Sequence, residues 1–190
     1  RHIRYVEISD TTLVKKDIAA ARMLDQIHQI LPLVKAETGV DIRFLAAIRR
    51  IPLTLVKDNI TASNYLTEAI QALKVVRKDP YVVGCDFVGE EINDIGELKA
   101  VIREIVTKIA AYDPNWTIRV HAGENDSLKG NMAKAISLIE DSLLPTQQFP
   151  HMRIVHGIYC ASLKSREGRQ LMGKIKAHNI VLEFQLSSNV

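Results

Sequence analysis

What most limits how this chain can fold is its regular alternation of two kinds of stretch. Residues 3–9 (IRYVEIS), 41–48 (DIRFLAAI), 81–87 (YVVGCDF), 116–121 (WTIRVH), 152–156 (MRIVH) and 180–186 (IVLEFQL) read as strands. Between them, 16–37, 61–78, 94–112, 131–143 and 162–178 carry helical patterns. The first of these helices places Ile18, Ala21, Leu24, Ile27, Ile30 and Leu31 at helical spacing. Thr61 or Ser63 can cap the second, and Asp94, with Glu97 three residues on, the third. Six strands separated by helices point to a parallel sheet with right-handed crossovers. A doubly wound sheet and a (β/α) barrel share that pattern. No GxGxxG turn follows the first strand, which weighs against a dinucleotide-binding sheet.

The strands carry charge on one face. Successive strand side chains point to opposite sides. Arg43 and Arg49 share a parity against Ile42, Phe44 and Ile48, and Glu7 shares one with Tyr5. Arg119 and His121 oppose Trp116, Ile118 and Val120, and Glu183 and Gln185 oppose Leu182 and Phe184. Strands buried on both faces by helices read as continuous apolar runs. One face here meets something that tolerates charge, as the upper half of a barrel interior does. The barrel is the preferred reading.

In a barrel, functional groups gather at the C-terminal ends of the strands. Four strands end there in polar or glycine-rich runs: 84–91 (GCDFVGEE), 121–124 (HAGE), 156–157 (HG) and 187–189 (SSN). His121 is a candidate metal ligand, and Glu124 a candidate acid or base in the turn after it. His156, one strand over, is a candidate second base. Gly89 would let a flat ligand approach the backbone. Glu90-Glu91 reads equally as a solvated loop pair. His2, His28, His151 and His178 lie at a terminus, on a helix or at element ends, and read as structural. No serine has the GxSxG spacing of a hydrolase elbow.

Composition excludes several classes. The 190 residues, 47% hydrophobic and 25% charged, suit one soluble domain over 1–190. A net charge of +3 is too balanced for a nucleic-acid binder, and the 73–79 run (LKVVRKD) reads as a helix end. Cys85 and Cys160 make no disulfide framework, Cys85 reading as a buried thiol. No apolar run is long enough to span a membrane. No signal peptide is visible, and a start at Arg1 rather than Met reads as cut.

Taken together, VHAGE at 120–124, RIVHGI at 153–158 and GCDFVGEE at 84–91 resemble the adenosine deaminase family of metal-dependent hydrolases. YVEIS at 5–9 and LEFQLSSNV at 182–190 look like that family's second and seventh strands. The order is right and nearly the whole chain is covered. The AMP deaminases are similar but usually differ at the alanine of HAGE. The resemblance implies an incomplete TIM (β/α)8 barrel, a single partial domain with its first and last strands missing. It implies zinc, which supplies an activated water, and hydrolytic deamination of adenosine or a related aminopurine. By the same resemblance His121 is a zinc ligand and Glu124 the acid that protonates a purine ring nitrogen. His156 orients or deprotonates the water, Gly89 offers its backbone to the purine, and Asp86 and Asn189 stand behind these groups.

The family's first strand carries His-x-His and its last an Asp-Asp pair, and residues 1–190 contain no His-x-His. Zinc is therefore expected in the complete site and weak or absent in residues 1–190 alone, which are expected to be inactive. Other expectations are a purine nucleoside as ligand, no nucleic acid or membrane partner, self-association through open barrel edges, and a cytoplasmic setting. The segment 125–150 is expected near the barrel mouth, where it bears on substrate choice. The alternatives are a non-catalytic barrel segment for binding or assembly and an amidohydrolase acting on a different amine.

Overall fold

The computed structural model describes residues 2–51 and 59–185. Its strands are β1 (Tyr5–Asp10), β2 (Asp41–Arg49), β3 (Val82–Val88), β4 (Thr117–Ala122), β5 (Met152–His156) and β6 (Val181–Glu183). The α-helices are α1 (Asp17–Thr38), α2 (Asn59–Val76), α3 (Lys99–Ile105), α4 (Asn131–Glu140) and α5 (Arg166–Ala177). All six strands are parallel, with helices between them, and follow one another in the sheet in chain order, β1-β2-β3-β4-β5-β6. That order never reverses, as a doubly wound sheet's must. It is the topology expected of an incomplete (β/α)8 barrel.

The boundaries differ from the sequence reading where caps and side-chain contacts decide them. Thr61 and Ser63 lie inside α2, which begins at Asn59. Asp94 does cap, its carboxylate accepting from Gly96 N at 2.7 Å. The helix that follows is a composite: a 3-10 turn (Ile95–Leu98), then α3, then a π-helical turn (Val106–Ala110). The last strand ends at Glu183, and its expected final residue, Leu186, lies outside the described residues.

The chain divides into two compact units, Arg1–Ile48 with Asp58–Asp86, and Arg49–Lys57 with Phe87–Val190. In the first, α1 turns Ala20, Leu24 and Ile27 inward, at spacings of four and three residues. Ile18 and Ile30, expected on that face, are exposed. Leu13, Leu45, Ile48 and Leu73 complete this core, and Cys85 is fully buried within the unit. Arg43 reaches Asp41 at 3.2 Å, and Asp41 also pairs with Lys35 at 2.8 Å.

In the second unit Trp116, Leu98, Ile105, Ile118, Met132, Ile136 and Ile139 are fully buried. β4 alternates as its sequence implies, with Ile118 and Val120 buried and Arg119 and His121 partly open. On the charged face, ion pairs run across strands. Glu183 on β6 accepts from Arg119 Nε at 2.8 Å and pairs with Arg153 Nη1 at 3.0 Å. Arg119 and Arg153 are direct neighbours in the β4–β5 ladder, so one carboxylate offsets two adjacent guanidinium groups.

After α4 the chain has returned to the N-terminal end of the strands. Residues 141–150 lead into β5 there, with Phe149 stacked on His178 (ring centroids 4.0 Å apart) just before β6. That half of the 125–150 segment therefore sits at the opposite end from the barrel mouth, contrary to expectation. Nearby, Glu140 accepts from Lys174 and contacts His178 Nε2 at 2.9 Å. Burial pushes the Glu140 carboxyl up, but the hydrogen bonds and charges of Lys174 and His178 outweigh it and hold the group below its ordinary range. A depressed folded value means stability that is present above the unfolded pKa of about 4.3 and is lost as pH falls through the folded one. Glu140→Gln should therefore lower the melting temperature at neutral pH. The cost should be about 1 kcal/mol or less, as for other partly exposed pairs. The gap to wild type should close below about pH 4, and thermal melts at a series of pH values check this.

Candidate active site

β4 and β5 end in register, Ala122 opposite His156, so the turns that follow start side by side. Backbone bonds join them. Gly157 N donates to Ala122 O at 3.0 Å, and Ile158 and Tyr159 both donate to Gly123 O, at 3.0 and 2.8 Å. This approach requires glycine at 123, where φ is +82° and a Cβ would come within 3.1 Å of Gly157 Cα, Met132 Sδ and Tyr159 O. His156 also takes a left-handed backbone, φ +73°, uncommon for a residue with a side chain. Strain of this kind gathers at sites where a side chain must be aimed.

The aim is toward its neighbours. The rings of His121 and His156 lie 5.3 Å apart by centroid, inclined at 61°. Glu124 Oε2 stands 3.6 Å from His156 Nε2, within ion-pair range but too long for a hydrogen bond. The His156 side chain is only 6% exposed, whereas that of Glu124 is 43% exposed. A sheltered imidazole beside a carboxylate open to solvent can serve as an acid–base pair for a ligand above the strand ends.

The other predicted residues fall as follows. Gly89 follows β3 with φ +98°, and a Cβ there would come within 3.1 Å of Arg50 O. The backbone that approaches it is thus Arg50's. Asp86 is fully buried in the first unit and accepts from Ser9 Oγ at 2.6 Å. Asn189, with Ser187 and Ser188, lies outside the described residues. His28, His151 and His178 contact Asp79 (2.7 Å), Thr117 (3.1 Å) and Glu140 (2.9 Å), in keeping with structural roles.

Two residues were missed. Glu91, read as half of a solvated pair, is buried at 5% exposure, while Glu90 beside it is exposed. Its carboxylate accepts from Gly123 N, Glu124 N and Asn125 N at 2.6, 2.9 and 2.7 Å. Arg50, 3% exposed, donates from Nη2 to the His121 carbonyl oxygen. Burial lowers the Arg50 pKa, opposed by the negative charges of Glu91, Asp94 and Glu124. The only sequence signal for either was position: loops after β2, β3 and β4 emerge at the same end of a parallel sheet.

Among the described residues no group of three or more His, Cys, Asp or Glu side chains comes together to hold a metal. His121 is a single nitrogen donor where zinc takes three or four protein ligands. The residues described do not by themselves make a metal site.

The fold and these strand ends define an α/β protein of six parallel strands with an imidazole–carboxylate cluster at their C-terminal edge. Compared with models of known families, with curated proteins and with solved structures, the chain gives no match. Among the described residues no helix is long and apolar enough to cross a membrane.

Proposed function

We propose that residues 1–190 belong to a hydrolytic deaminase acting on adenosine or a related aminopurine, a zinc enzyme of the adenosine deaminase kind. The observation that carries this reading is the meeting of Glu124 and His156 at 3.6 Å beside the His121 ring, on two neighbouring strand ends. In this reading Glu124 donates a proton to a ring nitrogen of the purine, which makes the amine-bearing carbon electrophilic. His156 takes a proton from the attacking water, and His121 is one metal ligand. The reading requires further ligands from chain outside residues 1–190, a His-x-His ahead of them and an Asp-Asp pair behind.

The test is ammonia release by the protein at its full natural length from adenosine, 2′-deoxyadenosine, adenine and their analogues. Release from at least one aminopurine is expected, and it should stop on dialysis against a strong chelator and return with zinc. Silence toward every aminopurine, with zinc present, would sink the proposal. It would leave the second reading, a non-catalytic barrel segment for binding or assembly. Release from a non-purine amine alone would move the protein to another amidohydrolase activity.

A further inference from the structure

The turn that carries Glu124 is held by two buried side chains of opposite charge, neither of them from β4. A buried carboxylate needs donors, and Glu91 finds three in a row, the amides of Gly123, Glu124 and Asn125. The three successive N–H groups converge on this one carboxylate, Gly123 on Oε1 and Glu124 and Asn125 on Oε2, through a turn that begins at left-handed Gly123, φ +82°. On the preceding peptide, Arg50 donates to the carbonyl oxygen of His121. Arg50 is itself seated, its N donating to Val88 O at 2.7 Å and its carbonyl oxygen lying against Gly89. Together these two side chains hold the four successive peptide groups from 121–122 to 124–125, the last two of which flank Glu124.

We infer that Glu91 and Arg50 are positioning residues: the three-amide grip of Glu91 and the carbonyl grip of Arg50 fix the backbone at 121–125 and so keep Glu124 aimed at His156. The effect on turnover rests on the proposed role of Glu124, whereas the clamp itself rests on the contacts. The pair works as a unit. Removing the Glu91 carboxylate orphans three amides and takes from buried Arg50 a charge that favours its ionised form.

The test uses Glu91→Ala at full natural length, with hydrogen exchange read at single amides and steady-state kinetics alongside. Exchange at Gly123, Glu124 and Asn125 should speed roughly tenfold or more, while Ile118, whose N–H donates to His151 O within the β4–β5 region, keeps its protection. Acetate or formate, small enough to replace the missing carboxylate, should slow those three amides again. On the aminopurine substrate kcat should fall with KM little changed, and the same anions should restore part of it. Unchanged exchange at the three amides would overturn the inference. So would a rise shared equally with Ile118, or a loss of activity that neither anion relieves. Should Glu91→Ala fail to fold, Glu91→Gln decides on the same amides, because it keeps the shape but turns an NH2 toward backbone donors. If the wild-type protein releases no ammonia from any aminopurine, the functional reading falls, and the exchange measurement still decides the clamp.

Discussion

Glu124→Gln is expected, on the proposed deaminase reading, to lower kcat toward an aminopurine by about 10²- to 10⁴-fold, the usual contribution of a positioned general acid, with KM within a few-fold of wild type. Glutamine keeps the size of the side chain and some of its hydrogen bonding, but it cannot release a proton at neutral pH. The structure makes this a clean substitution. The Glu124 side chain is 43% exposed, and what ties the residue into the fold is its backbone N–H, which donates to Glu91 at 2.9 Å. Stability should therefore change by no more than about 0.5 kcal/mol, as for other exposed positions. Thermal melts and steady-state kinetics on the same preparation check both halves. Wild-type turnover in Glu124→Gln would refute the assigned role. A fall in turnover accompanied by a large drop in melting temperature would reassign the residue to structure.

How much of this site could be read in the sequence follows from periodicity. Within strands, side chains alternate strictly, so the parity of Arg119, His121 and Glu183 placed them on one face before any coordinates, and the Arg119–Glu183 and Arg153–Glu183 pairs lie there. The strand ends at His121 and His156 were legible for the same reason. Outside the strands no period operates. Glu90 and Glu91 are identical neighbours in a loop, and only the incoming amides of 123–125 decide that the second is buried. Arg50 comes one residue after β2 ends, where strand parity no longer applies, and it is buried while Arg49 beside it is exposed. Helical periodicity also overreached: it read 94–112 as one helix, since a 3-10 turn and a π-helical turn shift the pattern by less than a residue per turn. On α1, Ile18 and Ile30 fit the period yet face outward, because the core that selects Ala20, Leu24 and Ile27 is a tertiary fact.

Gly168 gives the largest expected effect on stability, and its sequence context, Ser-Arg-Glu-Gly-Arg, gives no hint of it. The residue sits in the first turn of α5, its N–H accepted by the Ser165 hydroxyl that caps the helix, at 3.0 Å. Its backbone is ordinary helix, so alanine should be favoured there by intrinsic propensity, by about 1 kcal/mol. The surroundings reverse the sign. A Cβ at 168 would fall 2.1 Å from Ser162 O and 2.9 Å from Ala161 O, both backbone atoms that cannot swing aside as a side-chain tip could. Either the start of α5 must lift or the 161–162 segment must move, and Leu171, buried one turn further on, would move with the helix. Gly168→Ala should therefore destabilise the protein by about 3 kcal/mol or more, at the upper end for overpacking. Chemical denaturation of the variant reads it. Gly173, in the same helix, has nothing within 4 Å of a Cβ, so Gly173→Ala should be neutral or stabilising. Two glycine-to-alanine changes in one helix with opposite signs would separate close packing from propensity, and equal effects would refute the packing argument.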